Sequence, residues 1–321
     1  VFATPEIINY YIEKFKGILP PEIKIRILKD KIIQRVSGTD TIHNSQKPVI
    51  YIVPSGLRNF SPFPGDNNVF GARYAIETLK RAITELEKNN IDVIVTGPFS
   101  KSKIPESEFG FQGVTDYLAH LSGEEDHLMM MVHDNLRIAF LTEHIPIESV
   151  PSHITSDVFE RKLQLLYQTL KTDFLLSDVR IAVTGINPHC GDEGKWGKED
   201  LLLSNFIKSA RENGIEVYGP FSADGYWGSG LWRKFHATLV PYHDQGMIPF
   251  KILSGLSGAN FTAGLSVIRT APCHGPAYDI AGKGIADHSS ITYAIFLAVS
   301  IYKNRKNYIE WNKNPLKRHT I

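Results

Sequence analysis

Three histidines stand where a chain can assemble a metal centre. His144 follows the run RIAFLT, His189 follows RIAVTGINP and His243 follows ATLVPY, so each lies just beyond a short apolar segment of strand character. In open α/β sheets, ligands bind in the crevice outside the carboxyl ends of the strands. Three neutral imidazoles delivered there can share one divalent cation and leave positions open for substrate or water. A lone histidine after a strand is more often a capping or hydrogen-bonding residue. No tight His-x-x-x-His or Cys-x-x-Cys spacing accompanies these three, so the metal reading rests on their shared placement.

A second set is Lys251, Asn260 and Arg269, spaced nine residues apart in PFKIL, GANFT and VIRTA. Ammonium, amide and guanidinium donors suit phosphate or carboxylate oxygens. Surface charge and a turn-forming asparagine are the plainer explanation, although Arg269 ends an apolar run. Two Gly-Pro pairs, Gly97-Pro98 and Gly219-Pro220, read as turns, each followed by a polar residue that could face a ligand, Lys101 and Asp224. The stretch CGDEGKWGKED (190–200) is a glycine-bearing loop before a helix, where backbone N–H groups can meet cofactor phosphates. Asn187, Gly191 and Gly194 are the candidate cofactor contacts there, although the loop lacks the GxGxxG pattern of a Rossmann site.

The elements that must hold these residues alternate. Helical periodicity covers 5–15, 69–88, 156–169, 198–213 and 289–302, and apolar strand-like runs cover 48–53, 91–95, 128–132, 136–141, 179–184, 235–241 and 265–270. Residues 303–319 read as a polar surface tail. A mixed α/β fold follows, and 321 residues exceed one comfortable core, so two lobes with a cleft between them are expected.

Thirty-five Lys and Arg balance 34 Asp and Glu, which leaves no single-sign field to hold nucleic acid or an anionic membrane. Two cysteines cannot build a framework of bridges, and neither a leader nor an unbroken apolar run of about 18 residues is evident, so a cytoplasmic protein is expected.

Taken together, VTGPFSK, NPHCG, YHDQGMIPFK and IRTAPCHG resemble the motifs of the 4-hydroxythreonine-4-phosphate dehydrogenase family, VTGP-x-x-K, NPHAG, YHDQG and IRTS-x-x-HG, over about residues 70–300. The resemblance implies an isocitrate/isopropylmalate dehydrogenase-like α/β/α fold of two lobes, 1–107 with 265–321 and 108–264. It implies a homodimer with its active sites at the interface. By motif, the metal ligands fall on His144, His189 and His243, and the substrate-binding residues on Thr115, Lys251, Asn260 and Arg269. NAD is the implied cofactor, with zinc, cobalt, magnesium or manganese as the cation. The implied reaction oxidises 4-(phosphooxy)-L-threonine to a 3-oxo acid that loses carbon dioxide, a step in vitamin B6 synthesis.

Two departures matter. Where the family has GHTE this chain has GVTD, so Val114 stands in place of a histidine that can donate to substrate oxygen. Another phosphorylated hydroxy acid such as 4-phosphoerythronate, or a cyclic diol, is therefore the alternative substrate, and a catalytically idle binding protein the alternative of another class. The glycine-rich opening resembling GDPAGIGPE is also missing, and Val1-Phe2-Ala3 resembles the family's second strand, so a segment before Val1 is expected.

Overall fold

The computed structural model describes residues 1–15, 17, 24–28, 49–55, 63–98, 100, 109–111, 113–124 and 126–314. Residues 1–114 with 274–288 form one compact unit. It contains helix α1 (Pro5–Lys14), strands β1 (Lys24–Ile27) and β2 (Val49–Ile52), helix α2 (Val69–Glu87) and strand β3 (Val93–Val95). Proline opens α1 where its missing N–H costs nothing, and Asn68 caps α2 by accepting from the Gly71 N–H at 2.9 Å. Strands β1 and β2 pair in parallel, and Phe2 bridges Val53 in the same sense, so the opening tripeptide does behave as strand.

Residues 115–273 with 289–321 form the second unit. Its elements are α3 (Val114–Ser122), β4 (Leu128–His133), β5 (Leu136–Phe140), α4 (Val150–His153), α5 (Ser156–Thr172), β6 (Ile181–Thr184), α6 (Glu199–Glu212), β7 (Val217–Phe221), α7 (Ala223–Gly228), β8 (Ala237–Val240), α8 (His243–Ser254), β9 (Ala259–Ala263), β10 (Ile268–Pro272) and α9 (Ser289–Trp311). Seven strands run in the order β10-β9-β4-β5-β8-β6-β7. The first four are antiparallel neighbours, and β5, β8, β6 and β7 are parallel. Every residue of β6 and β8 is buried, which is why they read as continuous apolar runs without alternation.

Helix α8 covers one face of this sheet. Met247 and Phe250 pack with Met129, Met131, Ile138, Phe140 and Val240. The approach is close enough that a Cβ on Gly246 would stand 2.7 Å from Phe140, 2.8 Å from Ile138 and 2.9 Å from Val240. Elsewhere in the unit, α9 is fixed by hydrogen bonds. Thr270 Oγ1 donates to the Ala294 carbonyl and Ser290 Oγ to the Gly258 carbonyl, both at 2.8 Å.

Four sequence expectations change. Gly219-Pro220 lies within β7 rather than in a turn. Helix α8 carries Gly246 and Pro249, two residues that argue against helix, yet its apolar contacts override them. Helix α9 runs on to Trp311, through the segment read as a tail, because Arg305 reaches back to the buried Asp173 at 2.7 Å and Asn304 donates to the Asp173 carbonyl at 2.8 Å. The division of the chain also differs. Residues 265–273 and 289–321 go with the second unit, since β10 pairs with β9 and α9 is bonded to β10, and 108–114 go with the first.

Replacing glycine by alanine inside a helix ordinarily gains up to about 1 kcal/mol. At Gly246 the sign reverses, because overpacking a filled core costs about 1–3 kcal/mol. Gly246→Ala is expected to lower the melting temperature, followed by circular dichroism. An unchanged or higher value would contradict the close seating of α8.

Candidate active site

Strands β5, β8 and β6 are parallel neighbours, so their carboxyl ends lie on one edge of the sheet. His144 comes four residues after β5, His243 three after β8 and His189 five after β6. The placement expected of all three is therefore met as far as the edge.

Two of the rings also meet. The Leu141 N–H donates to the Val240 carbonyl at 2.9 Å, and Thr142 donates to the Pro241 carbonyl through N–H at 3.1 Å and Oγ1 at 2.7 Å, tying the exit of β5 to that of β8. The imidazoles of His144 and His243 consequently stand 5.6 Å apart between centroids. His243 is the first residue of α8, and its Nδ1 lies 2.7 Å from Asp244 Oδ1. A carboxylate only accepts, so Nδ1 carries a proton, and in the neutral ring Nε2 then keeps its lone pair, the arrangement common to metal-binding histidines. Gln245 completes the anchorage: Thr184 Oγ1 donates to its Oε1, and its Nε2 donates to the Gly185 carbonyl at 2.7 Å, locking the start of α8 to the end of β6. Asp244, Gln245 and Gly246 were not singled out from the sequence, although they follow His243 directly in YHDQG.

His189 is exposed and lines a cavity of about 350 Å³ with Asn187, Ser222, Asp224, Tyr242 and Gln245. Asp224 sits in the first turn of α7. The Ser222 hydroxyl and the Gly225 N–H hold its carboxyl below the usual carboxylate range, with nearby His189 acting in the same direction. Among the described residues no three His, Cys, Asp or Glu side chains are grouped to hold a metal ion. The expected convergence of three imidazoles is thus not formed within one chain: His144 and His243 meet, and His189 belongs to the neighbouring cavity.

The anion-binding candidates divide likewise. Register places Asn260 opposite Met131 and Thr262 opposite Met129, on the face that α8 covers. Arg269 donates to Thr262 Oγ1 at 3.4 Å, and Thr262 Oγ1 is 3.5 Å from Thr115 Oγ1, so Thr115, Thr262 and Arg269 form one line of donors. Burial lowers the Arg269 pKa to about 10, which leaves it cationic at neutral pH. Thr262 was missed in the sequence, being an ordinary strand threonine in NFTA. Lys251 is exposed on α8, eight residues beyond His243. Lys101 lies outside the described residues. Val114 is buried, at 8% exposure, where it opens α3 next to Thr115. Asn187 donates its amide to Glu199 and Asp200, each at 3.0 Å, and Gly191 and Gly194 have φ of +77° and +92°, so backbone geometry already accounts for those three.

Residues 10–298 match the profile of the family described as pyridoxal phosphate biosynthetic protein PdxA. The chain belongs to that family. Among curated PdxA relatives, the 4-hydroxythreonine-4-phosphate dehydrogenase of Bacteroides thetaiotaomicron is 42% identical over 246 residues, 76% of this chain and 68% of that protein. The Aquifex aeolicus protein of the same name is 36% identical over 301 residues, 91% of this chain and 92% of its own length. Among solved structures, 4-hydroxythreonine-4-phosphate dehydrogenase from Klebsiella pneumoniae superposes with a TM-score of 0.76 at 27% identity, covering 94% of this chain and 88% of that one. The terephthalate 1,2-cis-dihydrodiol dehydrogenase from Burkholderia xenovorans gives 0.54 at 26% identity, covering 78% and 80%. Among the described residues no helix is long and apolar enough to cross a membrane.

Cys190 takes the place of alanine in the PdxA motif NPHAG. Burial, with Asp200 nearby, raises its thiol to about 11, and Sγ donates to the Pro220 carbonyl at 3.4 Å. The thiolate is the reactive form, so at pH 8 Cys190 is expected to alkylate about a hundredfold more slowly than an unperturbed thiol. Timed iodoacetamide labelling with peptide mass analysis checks this, and rapid labelling of Cys190 would contradict it.

Proposed function

We propose that this chain is an NAD-dependent dehydrogenase that oxidises 4-(phosphooxy)-L-threonine with a divalent cation, as a homodimer, in vitamin B6 synthesis. The observation that carries the reading is the set of three histidines at the ends of three adjacent parallel strands, in a chain whose relatives bear that enzyme's name. The donor set suits a cation in part: His243 offers a free Nε2 beside His144, and His189 would complete the set from a second copy. Exposed Ile248 and Ile252 on α8, Leu256 just beyond it and Phe296 on α9 supply apolar surface for that copy to cover. When bound, the cation supplies Lewis acidity at the oxygen that becomes a carbonyl, and NAD supplies the hydride acceptor.

The chain's own residues do the rest. Arg269, Thr262 and Thr115, with Asn260 and Lys251, bind and orient the anionic groups of the substrate. Asp224, held as an anion, accepts the hydroxyl proton, with Lys101 as its partner in proton handling. Hydride leaves the same carbon, and the resulting 2-amino-3-oxo acid phosphate loses carbon dioxide as the carbon–carbon bonding pair moves toward the new carbonyl, after which the carbon that bore the carboxylate takes up a proton. The product is 3-amino-2-oxopropyl phosphate.

Val114 favours a second reading, in which the substrate is another phosphorylated hydroxy acid or a cis-diol, because a buried valine gives substrate oxygen no donor.

NADH formation is expected with 4-(phosphooxy)-L-threonine, to be abolished by EDTA and restored by added cation. Turnover only with 4-phosphoerythronate or a cyclic diol would establish the second reading, and none with any of the three would reject both. Mixing inactive His144→Ala and His189→Ala proteins should restore about a quarter of wild-type activity if each site draws on two copies. Because the Asp224 pKa is lowered, its protonation occurs below the ordinary carboxylate range. Asp224→Asn should lower kcat, and a wild-type kcat in that variant would contradict Asp224 as the proton acceptor.

A further inference from the structure

The loop that carries His189 is wound the wrong way for L-residues. His189, Cys190, Gly191, Asp192, Glu193 and Gly194 all have positive φ, between 48° and 92°. Four of the six are not glycine, and each of those four sets its Cβ against the following carbonyl. Hydrogen bonds within the turn follow a short pitch: the Cys190 N–H donates to Asn187 O at 3.1 Å, Asp192 to His189 O at 3.2 Å and Gly194 to Gly191 O at 3.0 Å. Such a segment persists only where its surroundings over-determine it.

Those surroundings centre on Asp200, a carboxylate 1% exposed in the first turn of α6. Its Oδ1 accepts from the Ile186 N–H at 2.7 Å, and its Oδ2 accepts from the Asn187 N–H and the Asn187 amide, both at 3.0 Å. The stem of the turn is thereby pinned on both carboxylate oxygens. The packing is equally specific: a Cβ on Gly185 would come within 2.7 Å of Asp200 Oδ1, and one on Gly191 within 2.8 Å of the Gly197 carbonyl. Buried charge is otherwise costly, and here three donors satisfy it.

We infer that Asp200 is the positioning residue for His189: it holds the left-handed turn and so sets where that imidazole stands. This rests on the reading of His189 as a cation ligand, and its first half can be tested without a cation.

Asp200→Asn keeps the size of the side chain and replaces one acceptor oxygen by a donor facing N–H groups. In the full-length protein without added metal, hydrogen exchange should show at least tenfold loss of protection at the amides of residues 190–196, with β6 and β8 unchanged. Co²⁺ affinity should fall tenfold or more. Glu193 is exposed, and glycine tolerates its φ of 56°, so Glu193→Gly should restore part of both losses in the Asp200→Asn background. Glu193→Gly by itself should leave Co²⁺ affinity at the wild-type value. Unchanged protection in Asp200→Asn, or lost protection with unchanged Co²⁺ affinity, overturns the proposal. Should Asp200→Asn fail to fold, Asp200→Glu retains both acceptors and is measured in the same way, with intermediate losses expected and wild-type values overturning the proposal. A wild-type protein that binds no Co²⁺ would defeat the metal reading instead, and the exchange pattern alone would then decide whether Asp200 holds the turn.

Discussion

The arrangement depends on the contact of α8 with the sheet at Gly246. With no side chain there, the helix backbone lies against Phe140, Ile138 and Val240, and the helix can begin within three residues of the end of β8. That short reach keeps the His243 ring over Phe140, 6.0 Å between centroids, and beside His144. Any side chain at 246 would lift the helix, and the imidazole at its first residue would move with it. Gln245 acts in concert by bridging to β6, so the start of α8 is fixed to two neighbouring strands at once. YHDQG thus reads as a small device in which the ring, the acceptor for its Nδ1 proton, the tie to the next strand and the space for close approach follow in order.

Much of this was readable from sequence, and the failures have physical causes. Strands β4, β6 and β8 were evident because fully buried strands are plain apolar runs. The histidines were placed correctly at strand exits because a parallel sheet puts all those exits on one edge. Helix α8 was hidden by Gly246 and Pro249, where packing outweighs intrinsic preference. The last turns of α9 were hidden because their stabilisation comes from Asp173, 132 residues away in sequence from Arg305. The separation of His189 from its two counterparts was likewise invisible, since ring positions depend on three short loops of which one is left-handed throughout.

The same face of the sheet divides its labour along the strands. At the edge stand His144, His243 and His189, while Arg269 brings a buried positive charge on β10, in line with Thr262 and Thr115. In the proposed function, separating imidazoles from guanidinium in this way lets one substrate present an anionic group to Arg269 while its hydroxyl lies elsewhere.

In the proposed function, Arg269 selects for an anion but not for which anion. Its guanidinium can take a phosphate or a carboxylate in the same planar, two-pronged fashion, so the phosphorylated acid and a carboxylated cis-diol satisfy it alike. Choice between them therefore falls to neighbours whose donors have a preferred partner, and α3 is where this chain departs from its family's motif. There Thr115 keeps a hydroxyl that reaches Thr262, while Val114, buried beside it, contributes shape and no hydrogen bond. Sites that must satisfy a buried donor reject ligands lacking the matching acceptor far more strongly than apolar walls reject an extra group. In the proposed function, a valine at this position loosens selection for one oxygen without opposing the original substrate, so the change broadens the range of acids accepted more readily than it replaces one with another.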